Sequence, residues 1–194
     1  MRDRVEDGVV LTFDDGPHPE GTPAVLELLA GAGASATFFL VGEQVERRPH
    51  LAARIAAEGH DVGVHCHRHT GLLRMGPRRT RDDLLRAAGA IEAAVGPVRL
   101  YRPPYGVLNA AALATARGQG WQTWLWRREG RDWKGRATAE SIAVRLTRRV
   151  RSGDVLLLHD ADFYSAPGSW RNMVQALPLV LAELERRELR LGRL

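Results

Sequence analysis

The sequence lacks several features that would place it at once in a broad class of protein. It contains one cysteine in 194 residues, which excludes an internal disulfide framework and a zinc cluster built on cysteine thiolates. It contains a single lysine, Lys134, so the other 27 of its 28 basic residues are arginines. Its longest apolar runs, such as residues 155–158, are far too short to cross a bilayer. Any metal in this protein must therefore be held by histidine and carboxylate side chains.

Acidic residues are fewer than basic ones, and the formal net charge of +5 raises the question of nucleic-acid binding. The arginines are scattered and form only short clusters, such as those at residues 78–81 and 148–151. A solvated face of an amphipathic helix accounts for the second cluster, and no signature of a nucleic-acid-binding module accompanies either. We therefore expect no nucleic-acid partner and no membrane span. The excess positive charge leaves an anionic substrate or surface open.

Residues 1–7 are mostly charged and do not contain the apolar segment of a secretory signal. They predict a cytoplasmic protein for the chain as given, and an extracellular one if a leader was removed. With 44% hydrophobic and 26% charged residues, the composition is that of a folded globular protein. The length suits a single domain over residues 1–194, because a chain of this size buries roughly 70% of its unfolded surface.

Short apolar runs alternate with helical patterns along the whole chain. The runs predict strands at residues 8–13, 36–41, 61–64, 98–101, 121–126 and 154–159. The helical patterns cover residues 22–32, 49–58, 79–95, 109–117, 138–151 and 170–187, with Thr22 capping the first helix and Pro23 at its first position. This alternation indicates an α/β fold with a mainly parallel sheet. An open doubly wound sheet and a closed barrel both fit the pattern, and both place active sites at the carboxyl ends of strands.

Two adjacent carboxylates, Asp14 and Asp15, follow the first predicted strand and lead into Gly16-Pro17. Neighbouring carboxylates beside a core are costly without a partner, and a cation removes their repulsion. One of the two acids would then bind the metal, and the other would be free to act as a base. The competing interpretation is an aspartate-rich turn, since Asp and Gly both favour turns.

Three of the seven histidines lie within five residues, at His65, His67 and His69. His65 and His69 have i, i+4 spacing, so a helical turn would place them on one face, where they could share a metal. His67 would point elsewhere, and Cys66 is expected to be a small buried hydrophobe rather than a ligand. Asp15, His65 and His69 form a set of two histidines and one carboxylate. This set suits catalysis by Zn²⁺ or another divalent transition metal such as Co²⁺ or Ni²⁺.

These residues resemble the motifs of the polysaccharide deacetylase family, which comprises NodB homology domains and carbohydrate esterase family 4. The matching runs are Thr12-Phe13-Asp14-Asp15-Gly16-Pro17, the pair His65/His69, Arg102-Pro103-Pro104-Tyr105-Gly106, Asp132-Trp133 and Leu157-Leu158-His159. They occur in the family's order and extend the resemblance from about residue 9 to the C-terminus. The resemblance implies a distorted (β/α)-barrel with mainly parallel strands. It also implies metal-dependent removal of N- or O-linked acetyl groups.

The resemblance assigns a role to each matching residue around the metal. Asp14 would be the general base that activates the water on the metal, and Arg102 would pair with Asp14 and hold its orientation. Asp15, His65 and His69 would be the metal ligands. A carboxylate beside a cation and an arginine stays ionised, which is the state that a base requires.

The resemblance also assigns residues to the leaving amine, to the oxyanion and to the substrate pocket. His159 would be the general acid that protonates the leaving amine, with Asp132 raising its pKa. The backbone N–H of Tyr105 would help to stabilise the oxyanion of the tetrahedral intermediate. The substrate-binding residues would be Pro104, Tyr105, Trp133 and Leu157, of which Leu157 lines the pocket for the acetyl methyl group.

Some positions depart from the family pattern. Cys66 replaces the usual small hydroxyl residue, Val64 replaces an asparagine, and Glu129 replaces the first acid of the fourth motif. Four further aromatic residues are candidates for stacking on a sugar, namely Trp126, Trp170, Phe163 and Tyr164. Of these, Trp126 is expected in the core, whereas the loop at residues 163–168 is expected to contact substrate.

The sequence thus predicts a single-domain, metal-dependent hydrolase that removes N-acetyl groups from amino sugars of the GlcNAc type, in a poly- or oligosaccharide or a glycoside. One alternative is an intracellular tailoring amidohydrolase that deacetylates a small glycoside or amide. Another is an O-acetyl xylan esterase, because the same site hydrolyses esters. The non-enzyme alternative is an inactive sugar-binding module. The complete set of motifs argues against it.

Overall fold

A computed structural model describes the whole chain, residues 1–194. Seven strands form one sheet in which all hydrogen-bonded neighbours are parallel. In chain order they are β1 (Val10–Asp14), β2 (Thr37–Val41), β3 (Asp61–Cys66), β4 (Leu100–Tyr101), β5 (Gln122–Thr123), β6 (Arg128–Glu129) and β7 (Val155–His159). Their order across the sheet is β5-β4-β3-β2-β1-β7-β6. The edge strands β5 and β6 are consecutive in sequence, so the sheet curls into the expected distorted barrel, with a seam that no ladder closes.

Seven α-helices surround this sheet. They are α1 (Gly21–Gly31), α2 (Gly42–Arg47), α3 (Pro49–Ala57), α4 (Pro77–Val95), α5 (Ala110–Gly118), α6 (Ala139–Thr147) and α7 (Ser169–Arg186), with 3₁₀ turns at Leu72–Arg74 and Pro104–Gly106. None of the helices is long and apolar enough to cross a membrane. A cluster of 36 buried apolar residues joins the helices to the sheet and forms the main core.

The register of the central strands decides which side chains meet at the active edge of the sheet. Both β1 and β7 are buried along nearly their whole length, which explains their almost continuous apolar sequences. Asp14, the last residue of β1, is level with His159, the last residue of β7. Because parallel strands end at one edge, the loops that follow β1, β3, β4 and β7 converge there.

The first helix begins differently from the prediction. It starts at Gly21 after Glu20, and no side chain caps it. Thr22 lies inside its first turn, where the hydroxyl donates to the carboxylate of Asp160 and accepts from the backbone N–H of His18 at 2.7 Å. The expectation that Thr22 caps the helix is therefore wrong, because its hydroxyl is bound to a buried acid from another loop. Pro23 accordingly lies at the third helical position and not the first.

The strand expected at residues 121–126 is also wrong in extent. Its first part forms β5, and a separate strand, β6, follows after residues 124–127. The carbonyls of Trp124 and Leu125 accept hydrogen bonds from the side chain of Arg102, at 3.4 and 3.1 Å. An arginine side chain thus occupies the seam where a continuous strand would have continued its ladder.

Two smaller differences concern helices. The short helix α2 was not predicted, because six residues are too few to show a helical period. Helix α6 ends at Thr147, so the arginine cluster at residues 148–151 follows this helix and does not lie on its face.

Candidate active site

A cavity of about 240 Å³ opens at the carboxyl edge of the sheet. It is lined by motif residues, namely Asp14, Asp15, His65, His69, Tyr105, Trp133, Leu157 and His159. Four further residues complete the lining, namely Trp126, Glu129, Tyr164 and Ser165. The remaining predicted site residues, Arg102, Pro104 and Asp132, are buried and do not line the cavity.

Asp15, His65 and His69 face one another inside this cavity. One ligand atom from each residue lies within 4.8 Å of the others. The Oδ1 atom of Asp15 is 3.4 Å from Nε2 of His65 and 3.2 Å from Nε2 of His69. Although this oxygen is buried, it accepts no conventional hydrogen bond. A buried carboxylate oxygen without such a donor, facing two imidazole nitrogens, fits a divalent transition metal.

The two histidines reach this position without the helical turn that their spacing suggested. His65 lies on β3, and His69 lies in the irregular segment that follows it. Nδ1 of His65 is 2.8 Å from the carbonyl of Arg102, which can only accept, so Nδ1 carries the proton and Nε2 is free as a ligand. His69 has no such hydrogen bond, because its buried Nδ1 lacks a partner.

The electrostatics of this group favour the protonation states that a metal requires. Burial acts to raise the pKa of Asp15, but the close approach of His65 and the charges of the nearby imidazoles outweigh it and bring the pKa to about 2. Burial lowers the pKa of His69 to about 4, against the attraction of Asp15. At neutral pH the group is therefore a carboxylate with a neutral His69 imidazole.

Asp14 stands beside this group in a different environment. Its Oδ1 accepts a hydrogen bond of 2.8 Å from Nη1 of Arg102, and the same Nη1 donates to the hydroxyl of Thr12 at 2.7 Å. Arg102 is fully buried, and its guanidinium lies 4.1 Å from the ring centroid of Phe39. Asp14 is thus oriented by one fixed cation and stays available to the cavity.

His159 and Asp132 form a second charged pair in the site, with His159 lining the cavity. Nδ1 of His159 is 3.0 Å from Oδ1 of Asp132, and the backbone N–H of His159 donates to Oδ2 at 2.6 Å. Burial acts to lower the pKa of His159, but the charge and hydrogen bond of Asp132 outweigh it and raise the pKa to about 10. His159 is therefore protonated at neutral pH. The Trp133 ring meets it edge-on, with 5.3 Å between centroids.

The third motif places Tyr105 in a strained backbone conformation. Its φ is +58°, in the left-handed region that residues other than glycine rarely adopt. The side chain is exposed and its ring meets the ring of His69 edge-on, whereas Pro104 is buried beside it. Strain of this kind is common where a backbone group is held for function.

Residues outside the motifs complete the site. Trp126, expected in the core, is half-buried and lines the cavity, with its Nε1 donating to Glu129 at 3.3 Å. Tyr164 also lines it and lies face to face with His69. Cys66 is fully buried, and burial raises the pKa of its thiol, so it is the inert small hydrophobe that was expected. The sequence indicated Tyr164 only as an aromatic residue in the loop after His159. Nothing in the sequence indicated that it would pair with His69.

Comparison with known proteins identifies the class to which this fold and site belong. The family model for polysaccharide deacetylases matches residues 2–124. The chain therefore belongs to the polysaccharide deacetylase family, which confirms the family predicted from the motifs.

Individual relatives agree with this assignment. The chain is 38% identical to a peptidoglycan-N-acetylglucosamine deacetylase of Bacillus cereus, over 92% of this chain and 82% of the relative. It is 36% identical to a chitooligosaccharide deacetylase of Bradyrhizobium, over 92% and 85%. A crystal structure of a peptidoglycan N-acetylglucosamine deacetylase superposes with a TM-score of 0.89 at 32% identity, covering 96% of this chain and 86% of that one.

Proposed function

We propose that this protein is a divalent-metal-dependent hydrolase that removes the N-acetyl group from an N-acetylated amino sugar. The observation that carries the proposal is the content of one cavity. It holds three metal-ligand atoms within 4.8 Å, a carboxylate held by an arginine, and a protonated histidine held by an aspartate. Hydrolysis of an amide needs a base for water and an acid for the leaving amine, and this cavity offers both.

Asp15, His65 and His69 would hold the cation, for which we propose zinc, cobalt or nickel. Such a cation supplies Lewis acidity, polarising the amide carbonyl and lowering the pKa of water. Each of the three side chains is at least nine-tenths buried, so bulk water competes little with these ligands.

The chain's own groups would divide the proton transfers. Asp14, held by Arg102, would take the proton from the attacking water. The backbone N–H of Tyr105 would donate to the carbonyl oxygen as negative charge develops on it. His159 would give its proton to the amide nitrogen when the C–N bond breaks, and Asp132 would hold the ring in position.

The lining of the cavity supports a small acyl group on a sugar. Leu157 and Trp133 line the cavity and would offer an apolar wall to the acetyl methyl group. A volume of about 240 Å³ is enough for an acetamido group and part of one ring, so the remainder of a longer substrate would lie outside. The relatives named above act on peptidoglycan and chitooligosaccharides, and both contain N-acetylglucosamine.

Acetate release tests this proposal directly. The metal-loaded protein is expected to release acetate from N-acetylated chitooligosaccharides, and removal of the metal by a chelator should stop the reaction. Acetylated xylan and small acetylated glycosides, tested in parallel, separate the amide activity from the esterase and tailoring alternatives. Full metal loading with no acetate released from any of these substrates would overturn the proposal.

The variant Asp14→Asn tests whether Asp14 is the general base. We expect it to keep stoichiometric metal, because the three ligand atoms remain, and to lose turnover by a factor of about 10² to 10⁴, which is typical of a lost general base. Asp82→Asn, which changes an exposed carboxyl on α4 in the same way, is the matched control and should stay fully active. Near-normal acetate release by Asp14→Asn would show that another group is the base.

A further inference from the structure

The two histidines of the proposed metal centre are oriented by different means. Nδ1 of His65 hydrogen-bonds to the carbonyl of Arg102 at 2.8 Å, which fixes its ring. Nδ1 of His69 is buried and has no partner. The lone pair of an imidazole nitrogen lies in the ring plane, so a ligand histidine must be held against rotation of that plane. Something other than a hydrogen bond must hold His69.

The surroundings of His69 show what does so. The phenol ring of Tyr164 lies face to face with the imidazole, with centroids 4.6 Å apart and an angle of 14° between the planes. Tyr105 meets the same imidazole edge-on, also at 4.6 Å. Because a rotated imidazole would collide with the stacked ring, this contact restrains the ring plane. Tyr105 restrains it less, since its side chain is mostly exposed, at 61% for the residue.

Tyr164 is itself fixed at its far end. Its hydroxyl donates to Oε1 of Glu43 at 2.6 Å and accepts from Nε2 of Gln44 at 3.1 Å. Both partners belong to α2, which begins directly after β2. The phenol is therefore held between the loop that follows β7 and a helix of the barrel wall.

The loop that carries Tyr164 is also tethered on both sides of this residue. The backbone N–H of Gly168 donates to Oδ2 of Asp162 at 2.5 Å, and the N–H of Ala166 donates to the carbonyl of Trp133 at 3.2 Å. The ring position is thus determined by several contacts that are independent of His69. A ring held in this way can impose an orientation on its neighbour.

We propose that Tyr164 is a positioning residue that orients the metal ligand His69 by stacking, in place of the hydrogen bond that orients His65. The proposal rests on the proposed function only in requiring that Asp15, His65 and His69 hold a metal. It concerns the chain before any substrate binds, so its test needs no sugar.

The test is the metal affinity of the apoprotein, measured by competition with a chromophoric chelator for Zn²⁺. Tyr164→Leu removes the stacked face, and we expect a loss of affinity of about 10-fold to 100-fold, the range found for lost orienting partners of metal ligands. Tyr164→Gln keeps a polar side chain without a ring, and its Zn²⁺ affinity should fall by a similar factor. Tyr164→Phe keeps the face and should restore affinity to within about threefold of the wild type, since only the tether is lost.

A matched control and a spectroscopic measurement separate orientation from loop damage. Phe163→Leu changes the neighbouring ring, which lies on His18 and Arg48 and not on His69. This ring touches Tyr164 only edge-on, with centroids 6.2 Å apart, and leaves the tethers of the phenol in place, so the variant should bind metal as the wild type does. The visible spectrum of the Co²⁺ form reports ligand geometry. It should change in Tyr164→Leu and Tyr164→Gln and stay unchanged in Tyr164→Phe and Phe163→Leu.

Wild-type affinity and an unchanged Co²⁺ spectrum in folded Tyr164→Leu or Tyr164→Gln would overturn the proposal. The same loss in Phe163→Leu would overturn it too, by showing that the loop as a whole is responsible. The proposed function fails differently, through absence of acetate release from a wild-type protein that binds metal normally. A wild-type protein that binds no metal would overturn both.

Discussion

Asp14 and Asp15 are adjacent in sequence and similarly buried, yet their carboxyl groups face different neighbours. Asp14 is bound by the guanidinium of Arg102, whereas Asp15 faces two imidazoles and accepts no conventional hydrogen bond at Oδ1. The positive φ of Asp15, +78°, turns its side chain away from the direction that an extended strand would give it. One turn of backbone thus gives two adjacent carboxylates different environments.

At the same scale, the pair His159–Asp132 predicts a change in pH dependence. With the charge of Asp132 removed in Asp132→Asn, the pKa of His159 falls from its raised value of about 10, because burial then dominates. His159 must be protonated to act as an acid, so the alkaline limb of the kcat/KM profile moves to lower pH. The measurement is that profile for wild type and variant loaded with the same metal. Asp82→Asn should leave it in place, and an unmoved limb in Asp132→Asn would remove His159 from the role of acid.

The same pKa gives the sign of a stability effect. The folded-state pKa of His159 lies above its ordinary value of 6.5. The contribution of the ion pair to the free energy of unfolding is therefore complete below about pH 6.5 and lost as the pH rises through about 10. Asp132→Asn should remove this pH-dependent part.

At the scale of elements, two glycines on neighbouring helices differ in what surrounds them. Gly42 begins α2, where a Cβ atom would lie 2.7 Å from Nδ1 of His67 and 2.8 Å from Cα of Ala87 in α4. Gly89 lies within α4 and faces open space. The close approach of α2 to α4 therefore depends on the missing side chain at Gly42.

These surroundings predict opposite effects for the same substitution. Gly42→Ala should destabilise the protein by about 1–3 kcal/mol through overpacking. Gly89→Ala should stabilise it by about 0.5–1 kcal/mol, because alanine favours the helix interior. Urea unfolding of both variants measures the difference. A Gly42→Ala variant as stable as the wild type would show that the two helices can move apart at little cost.

Sequence patterns predicted some elements and missed others for physical reasons. The strands β1 and β7 were recognisable because both faces are buried, which leaves a continuous apolar run. The strands β5 and β6 were not separable, since each has two residues and the break between them depends on Arg102, which is about twenty residues away in sequence. Local periodicity cannot register a side chain that arrives from the segment after another strand.

The same distinction applies to the site. The motifs located the ligand and proton-transfer candidates because each motif is local, and the sheet brought their side chains into one cavity. The helical turn expected for His65 and His69 is wrong, because β3 extends through His65 and the segment after it curves back. Tyr164 could not have been paired with His69 from sequence, since 95 positions separate them and stacking leaves no spacing pattern.

At the scale of the whole molecule, the proposed metal centre joins residues from two distant parts of the chain. Asp15 follows β1, and both histidines come from β3 and the segment after it, so unfolding separates the ligands. A metal that binds only the folded protein stabilises it by about 2.7 kcal/mol at a free concentration one hundred times its Kd.

The expected result is an increase in Tm of about 5–10 °C when Zn²⁺ is added to the apoprotein at that concentration. Chelation should reverse the increase. His65→Ala removes one ligand, and Zn²⁺ should change its Tm little if at all. Differential scanning calorimetry of the two proteins provides the measurement. An equal rise in both would place the stabilising ion elsewhere.

The seam between β5 and β6 has a consequence for how the molecule would lose activity. Arg102 bonds the two backbone carbonyls in the seam and also bonds Asp14, all through one guanidinium. Fraying of residues 124–127 would therefore release the proposed base from its orientation while the rest of the barrel stays folded. In a barrel closed by main-chain hydrogen bonds, opening of the seam and release of the base would be independent. Here a local opening would inactivate the enzyme before global unfolding begins.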